Sequence, residues 1–232
     1  MQHPDFLHDV ALSFKWVKDN ISNICGDINN VFLSGHSAGA HIISLLLIRF
    51  DDYLAPLGLE KSWFKGLILV SGVFSLFCPL RKELLDLKNK GFVLAYVYPT
   101  FGLDETVRRS ASPLVLLEPE TTPSGTSSLI GTLSTEIAKK AGCDMGEKAA
   151  FAANKEVCDG LSINKDLPPA LVFNCQFDFG LQANGKAMYK ALRKHTEASY
   201  VSIPGVDHGG ICRSKKTHEE IHTFMAKNYT TS

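Results

Sequence analysis

Nothing in this 232-residue chain is apolar for long enough to span a bilayer, which takes about 20 residues of helix. Its first ten residues, Met1 to Val10, do not read as a signal peptide, and the expected compartment is the cytoplasm. Neither sign of charge is in excess: 24 basic residues face 24 acidic ones, so the electrostatic footprint of a nucleic-acid or anionic-membrane binder is missing. The six cysteines form no C-x-x-C pair and keep no metal-ligand rhythm. Cys175 lies in an apolar run and reads as a buried thiol, while Cys143 and Cys158 are spaced for a bridge that no other feature supports. No internal repeat or charged linker divides the chain. Hydrophobic residues at 45% and charged residues at 21% are ordinary for a globular protein of one sizeable core.

What is present is concentrated between Asn30 and His41. Val31 to Leu33 read as a buried strand, because β-branched and aromatic residues suit a covered pleated surface. Ala38 to Phe50 read as a helix, with Ile42, Leu45, Leu46 and Ile48 at helical spacing. Between them stands Gly35-His36-Ser37-Ala38-Gly39, the G-x-S-x-G pattern of a strand-to-helix turn that exposes a serine hydroxyl. The expectation is that strand and helix approach closely enough for a Cβ at either Gly35 or Gly39 to clash. Serines in glycine-rich turns commonly serve as caps, but a strand before and a helix after favour a nucleophile.

Before this turn, Phe6, Val10, Phe14, Val17 and Ile21 recur at steps of three and four, predicting an amphipathic helix from about Asp5 to Ser22. After it, Asp51 to Lys65 reads as a polar connection and Gly66 to Gly72 as a second buried strand. Regularity weakens from Phe74 to Asn164, although residues 133–141 keep a helical pattern. Tyr96, Tyr98 and Phe101 read as core of this region rather than as a substrate pocket. Order returns with a strand at Pro169 to Cys175, a helix at Leu181 to His195, a strand at Ser199 to Ile203, a loop at Pro204 to Gly210 and a helix from about Ser214 to Asn228. Alternating covered strands and helices predict an α/β domain with a mostly parallel sheet and helices on both faces. It divides into residues 1–77 with the serine turn, an inserted cap at 78–166, and residues 167–232.

A serine nucleophile needs a base within hydrogen-bond reach and a third group that fixes the base's tautomer. Asp178 follows the third strand and His208 follows the fourth, inside Gly205-Val206-Asp207-His208-Gly209-Gly210. Ser37, Asp178 and His208 are therefore in serine–acid–histidine order, each after a strand. Asp178 also has the position of an N-cap for the helix at Leu181. Asp207 is a rival acid, but a residue adjacent to His208 has poor geometry for orienting its ring. His36 and His41 flank the serine and read as packing or hydrogen-bonding residues, not as the base. Such chemistry calls for no cofactor and no metal.

Gly35-His36-Ser37-Ala38-Gly39-Ala40-His41, Phe177-Asp178-Phe179-Gly180-Leu181 and Asp207-His208-Gly209-Gly210-Ile211 together resemble the α/β-hydrolase serine esterases. The likeness is closest to the subgroup of feruloyl-esterase-like carboxylesterases, prenylcysteine methylesterases and kynurenine formamidases. His3 to Ala11 resembles that group's entry into the helix before the elbow. The match is good over Gln2 to Phe77, moderate over Leu167 to Phe224 and poor over Leu80 to Asn164. It implies Ser37 as nucleophile, His208 as general base, Asp178 as its orienting acid and the backbone N–H of Ala38 as an oxyanion donor. The substrate implied is a small carboxylic ester. An aryl formamide such as N-formylkynurenine is the alternative, and a catalytically silent hydrolase-like binding protein the other. That alternative arises because the family's His-Gly-Gly oxyanion loop, expected upstream of the elbow, has no counterpart before Ser37. By resemblance, about four N-terminal strands would be absent, giving an N-terminally truncated form of the fold.

Overall fold

The computed structural model describes residues 2–76, 97–102, 104–119 and 155–230. They fall into two compact units, one of Pro4–Phe74 with Ser162–Ser232, the other of Met1–His3 with Ser75–Leu161.

The larger unit begins with helix α1, Asp5–Asn20, closed by a 3-10 turn at Ile21–Ile24. Leu7 and Ala11 are its fully buried residues, with Phe6, Val10, Phe14 and Val17 half-buried beside them. The apolar face is thus wider than the single expected stripe, as suits a helix packed against more than one neighbour. Strand β1, Val31–His36, leads through Ser37 into helix α2, Ala38–Ile48, and a short helix α3, Phe50–Tyr53. Nearly every residue of α2 is buried, His41 and Ser44 included. Strand β2 runs over Phe64–Val70, so Phe64 and Lys65, expected in the connection, belong to the sheet.

In the second part of this unit, strand β3 covers Ala170–Phe177, with a helix at Gln182–Leu192 after it. Strand β4 then covers Ala198–Asp207 and a last helix covers Lys215–Asn228. Pro204 and Gly205 were expected to end β4 at Ile203, yet the strand continues to Asp207. Its position at the edge of the sheet explains this, because an edge strand tolerates a missing N–H. Gly205 adopts φ 72°, and the pairing register shifts opposite Cys175 to Phe177.

Among the described residues the sheet has four parallel strands in the order β1-β2-β3-β4. Its hydrophobic core on one face is Ile68, Val70, Leu171, Phe173, Cys175, Ile203 and Ile211, against which Ile221 and Phe224 of the last helix pack. Leu67 and Leu69, also buried, alternate to the opposite face. There α2 packs against β1 and β2. Because the strands are parallel, their carboxyl ends share one edge of the sheet.

The smaller unit contains helices at Tyr98–Phe101, Glu105–Ser110 and Pro113–Leu117. Asp104 caps the second of them by accepting from the Thr106 N–H at 2.8 Å. Phe101 contacts the His3 ring at 5.6 Å. The helix expected at 133–141, Tyr96 and Cys143 lie outside the described residues. The Cys158 thiol donates to the Val115 carbonyl at 3.6 Å.

Candidate active site

Each of the four strands is followed directly by a polar residue: Ser37 after β1, Ser71 after β2, Asp178 after β3 and His208 after β4. Ladder register brings them to one place. His36 pairs with Val70, and Val70 with Phe173. In the next row the Ser37 N–H donates to the Val70 carbonyl at 2.8 Å and the Ser71 N–H to the Phe173 carbonyl at 2.9 Å.

Ser37 has φ 55° and ψ −115°, a conformation that side-chain-bearing residues rarely adopt. Such strain persists where the surroundings enforce it. Gly35 shows how. A Cβ there would stand 2.5–2.6 Å from the backbone of Gly39 and Ala40, so only glycine allows β1 and α2 to meet at this angle. Gly39 is different. A Cβ on it meets nothing within 4 Å, which corrects the expectation that both glycines relieve a clash. The close approach is one-sided, made by the backbone of α2 coming up against Gly35. Ala38 is the first residue of α2, where a backbone N–H has no acceptor within its own helix.

Asp178 is 1% exposed. Its Oδ1 accepts from His208 Nδ1 at 2.6 Å. Its Oδ2 accepts from Asn174 Nδ2 at 2.6 Å, Ser71 Oγ at 2.8 Å and the Cys175 N–H at 3.3 Å. Burial alone would raise this carboxyl's pKa, but the donors from His208, Asn174 and Ser71 outweigh it and hold the group below the usual carboxylate range. An ionised acceptor at Oδ1 requires the proton of neutral His208 to sit on Nδ1, leaving Nε2 with a lone pair. Asp178 caps nothing with its side chain; only its carbonyl takes part in the turn, accepting from the Leu181 N–H at 2.7 Å. The rival Asp207 turns away, its carboxylate accepting from the Gly210 N–H at 2.6 Å.

Three partners went unnoticed in the sequence. Ser71, wholly buried with φ 49°, and Asn174, also wholly buried, steady the carboxylate. Ser71 closes the predicted strand Gly66 to Gly72, and a polar residue at the end of a buried parallel strand is the signal that could have found it. Gly185, in the following helix, sits where a Cβ would collide with Asn174 Oδ1. His36 and His41 take hydrogen-bonding roles as expected. His41 Nδ1 donates to the Val73 carbonyl at 2.7 Å and His36 Nε2 to the His208 carbonyl at 2.8 Å. The His208 ring is flanked by those of His36 and Phe179, at 4.5 and 5.1 Å between centroids.

The Carboxylesterase family pattern matches residues 7–88, the span that carries the elbow. Liver carboxylesterase 1 of Oryctolagus cuniculus is 38% identical over 82 residues, which is 35% of this chain and 13% of that protein. A mutant of the esterase rPPE superposes with a TM-score of 0.61 at 14% identity, covering 100% of this chain and 61% of that one. An arylesterase gives 0.59 at 17% identity, covering 98% and 61%, and the metagenomic carboxylesterase EstE1 gives 0.51 at 17%, covering 98% and 63%. The fold is that of the α/β-hydrolases. The chain spans less than two thirds of the length of each of these relatives. Within the α/β-hydrolase fold, Ser37, Asp178 and His208 occupy the carboxyl edge of the sheet, where ligands of open α/β sheets bind. Among the described residues, no helix is long and apolar enough to cross a membrane.

Proposed function

We propose that this protein is a serine hydrolase that cleaves small carboxylic esters through an acyl-enzyme. The observation that carries the reading is the 2.6 Å hydrogen bond between His208 Nδ1 and the buried, ionised carboxylate of Asp178. A base so oriented presents Nε2 as acceptor, and β1, whose last residue His36 lies against His208, leads directly into Ser37. Ser37 Oγ attacks the ester carbonyl carbon while its proton passes to His208 Nε2, and the carbonyl π pair moves onto oxygen. Asp178 holds the imidazolium that forms. The tetrahedral oxyanion accepts from the Ala38 N–H, aided by the positive end of α2. Collapse expels the alkoxide, which takes the proton from His208. Water then repeats the cycle on the acyl group, returning the acid and free Ser37.

In this reading the Ala38 N–H is one oxyanion donor, a kind of contact whose removal typically costs about 10²–10³ in rate. The sequence likeness to feruloyl-esterase-like carboxylesterases and kynurenine formamidases sets the range of substrates to try. The test is fluorophosphonate labelling and hydrolysis of p-nitrophenyl acetate by the folded chain. Labelling and turnover that vanish in S37A support the proposal. Turnover of N-formylkynurenine far above that of the ester selects the formamidase. Neither labelling nor turnover rejects the hydrolase and leaves the silent binding protein.

A further inference from the structure

His208 is held at three points. Its N–H donates to the Phe177 carbonyl at 3.2 Å, its ring Nδ1 donates to Asp178 at 2.6 Å, and its carbonyl accepts from His36 Nε2 at 2.8 Å. The first two come from the end of β3 and the residue after it. The third comes from β1 and is the only one of the three that originates beside the serine. We propose that His36 is a positioning residue for the base: by gripping the His208 main chain from the residue covalently next to Ser37, it fixes nucleophile and base relative to each other. This rests on the assignment of Ser37 and His208 given above.

The need for such a tie is visible in the backbone. His208 lies between Gly205, with φ 72°, and the pair Gly209 and Gly210, so three of its near neighbours in the chain have no side chain with which to hold the segment. Its anchors on the β3 side fix the ring to Asp178 but say nothing about β1, which lies two strands away in the sheet. His36 crosses that gap. The reach of an imidazole from the last position of β1 suits the task, and its ring also packs on the His208 ring at 4.5 Å.

The chemistry of the contact fixes the protons. A carbonyl only accepts, so His36 Nε2 carries hydrogen, and the neutral side chain is the Nε2–H tautomer. Burial, and then the neighbouring His208, push the His36 pKa below the ordinary histidine value. A neutral His36 can donate without setting a positive charge against the imidazolium that develops on His208.

The inference is tested with H36F, which keeps a ring without the donor, and H36Q, whose amide nitrogen stands near the place of Nε2. With p-nitrophenyl acetate, kcat in H36F is expected to fall by about 10²-fold at nearly constant KM, the size expected for a small displacement of a reacting group. H36Q is expected to recover about tenfold of it, a rescue that a merely structural role would not produce. Two readouts do not need turnover. The downfield His208 Nδ1–H resonance should be sharp in the wild-type protein, exchange-broadened in H36F and sharp again in H36Q. Nitrogen-15 spectra of the wild-type chain should show His36 as the Nε2–H tautomer. An Nδ1–H tautomer overturns the inference even if both variants fail to fold. So does an H36F enzyme with kcat and resonance unchanged, or an H36Q protein no better than H36F. A chain without esterase activity whose resonance still follows His36 refutes the hydrolase reading and leaves the positioning intact.

Discussion

Asp178 has 1% of its surface exposed and four hydrogen-bond donors around its two oxygens. A carboxylate so placed is costly to bury unless every partner is present, so its removal and the removal of one partner should differ in degree. D178N keeps the shape but replaces an acceptor with an amide and lets His208 adopt the other tautomer. Its kcat is expected to fall by about 10⁴, the loss typical of this substitution in a serine triad. S71A removes one donor and leaves Asn174 and the Cys175 N–H in place. It is expected to lower stability by about 1.5–3 kcal/mol, as for a hydrogen bond to a charged group, with a far smaller loss of kcat than D178N. Steady-state kinetics and urea unfolding of both variants check the order. An S71A enzyme as slow as D178N would mean that Ser71 does more than steady the carboxylate.

The elbow is where strand and helix decide each other. Gly35 has no room for a Cβ against the backbone of α2, whereas Gly39 has open space in the first turn of that helix. G35A should force β1 and α2 apart, destabilising by several kcal/mol in the manner of overpacked cores and abolishing Ser37 labelling. G39A should be neutral or stabilising by about 0.5–1 kcal/mol, because alanine is the better helix former. Thermal melts with fluorophosphonate labelling separate the two, and equal damage from both would refute the one-sided contact. The pattern G-x-S-x-G could be read from the chain, but the two glycines look identical in it. Their difference depends on which way each absent Cβ would point, and that is set by the packing of α2. The same holds along β4. Pro204 and Gly205 are stop signals in any local reading, and only the edge position of the strand cancels them. The existence of the four strands and the order Ser37, Asp178, His208 after them were legible because they are local in sequence. Ser71 and the His36 tie were not, because each acts across the sheet on a residue far along the chain, and Asn174 was not, because its bond to Asp178 four residues on depends on the turn that folds the carboxylate back at the end of β3.

At the scale of the molecule, the site leaves a mark on stability in both acid and base. His36 and Asp178 both have lowered pKa values in the folded state, His36 through burial first and then His208, Asp178 through donors that outweigh its burial. As pH falls below about 6.5, unfolded chains protonate at His36 before folded ones do, so stability declines until the folded His36 also titrates. A second decline begins below about 3.9, where unfolded Asp178 takes up a proton that the folded carboxylate still refuses. Asp27, lowered by its hydrogen bonds to Asn30 and the Asn29 N–H, contributes to the same window. The groups facing His36 are His208 and Asp178, and the carboxylate's attraction opposes the shift without reversing it. In base the sign inverts the group but not the outcome. Burial, the nearby charge of Asp178 and their hydrogen bond push the Cys175 thiol up to about 11, so unfolded chains lose its proton first and stability falls from about pH 8.5 upward. Tyr200, raised chiefly by burial, adds to this at higher pH. Chemical unfolding between pH 3 and 11 should therefore give a plateau between about 6.5 and 8.5, with losses on both sides. H36F should flatten the decline that starts near 6.5, D178N the one below about 3.9 and C175A the alkaline one, each against its own plateau. A profile that keeps rising from pH 6.5 toward 5, or an alkaline limb untouched by C175A, would show that these buried groups do not govern the balance.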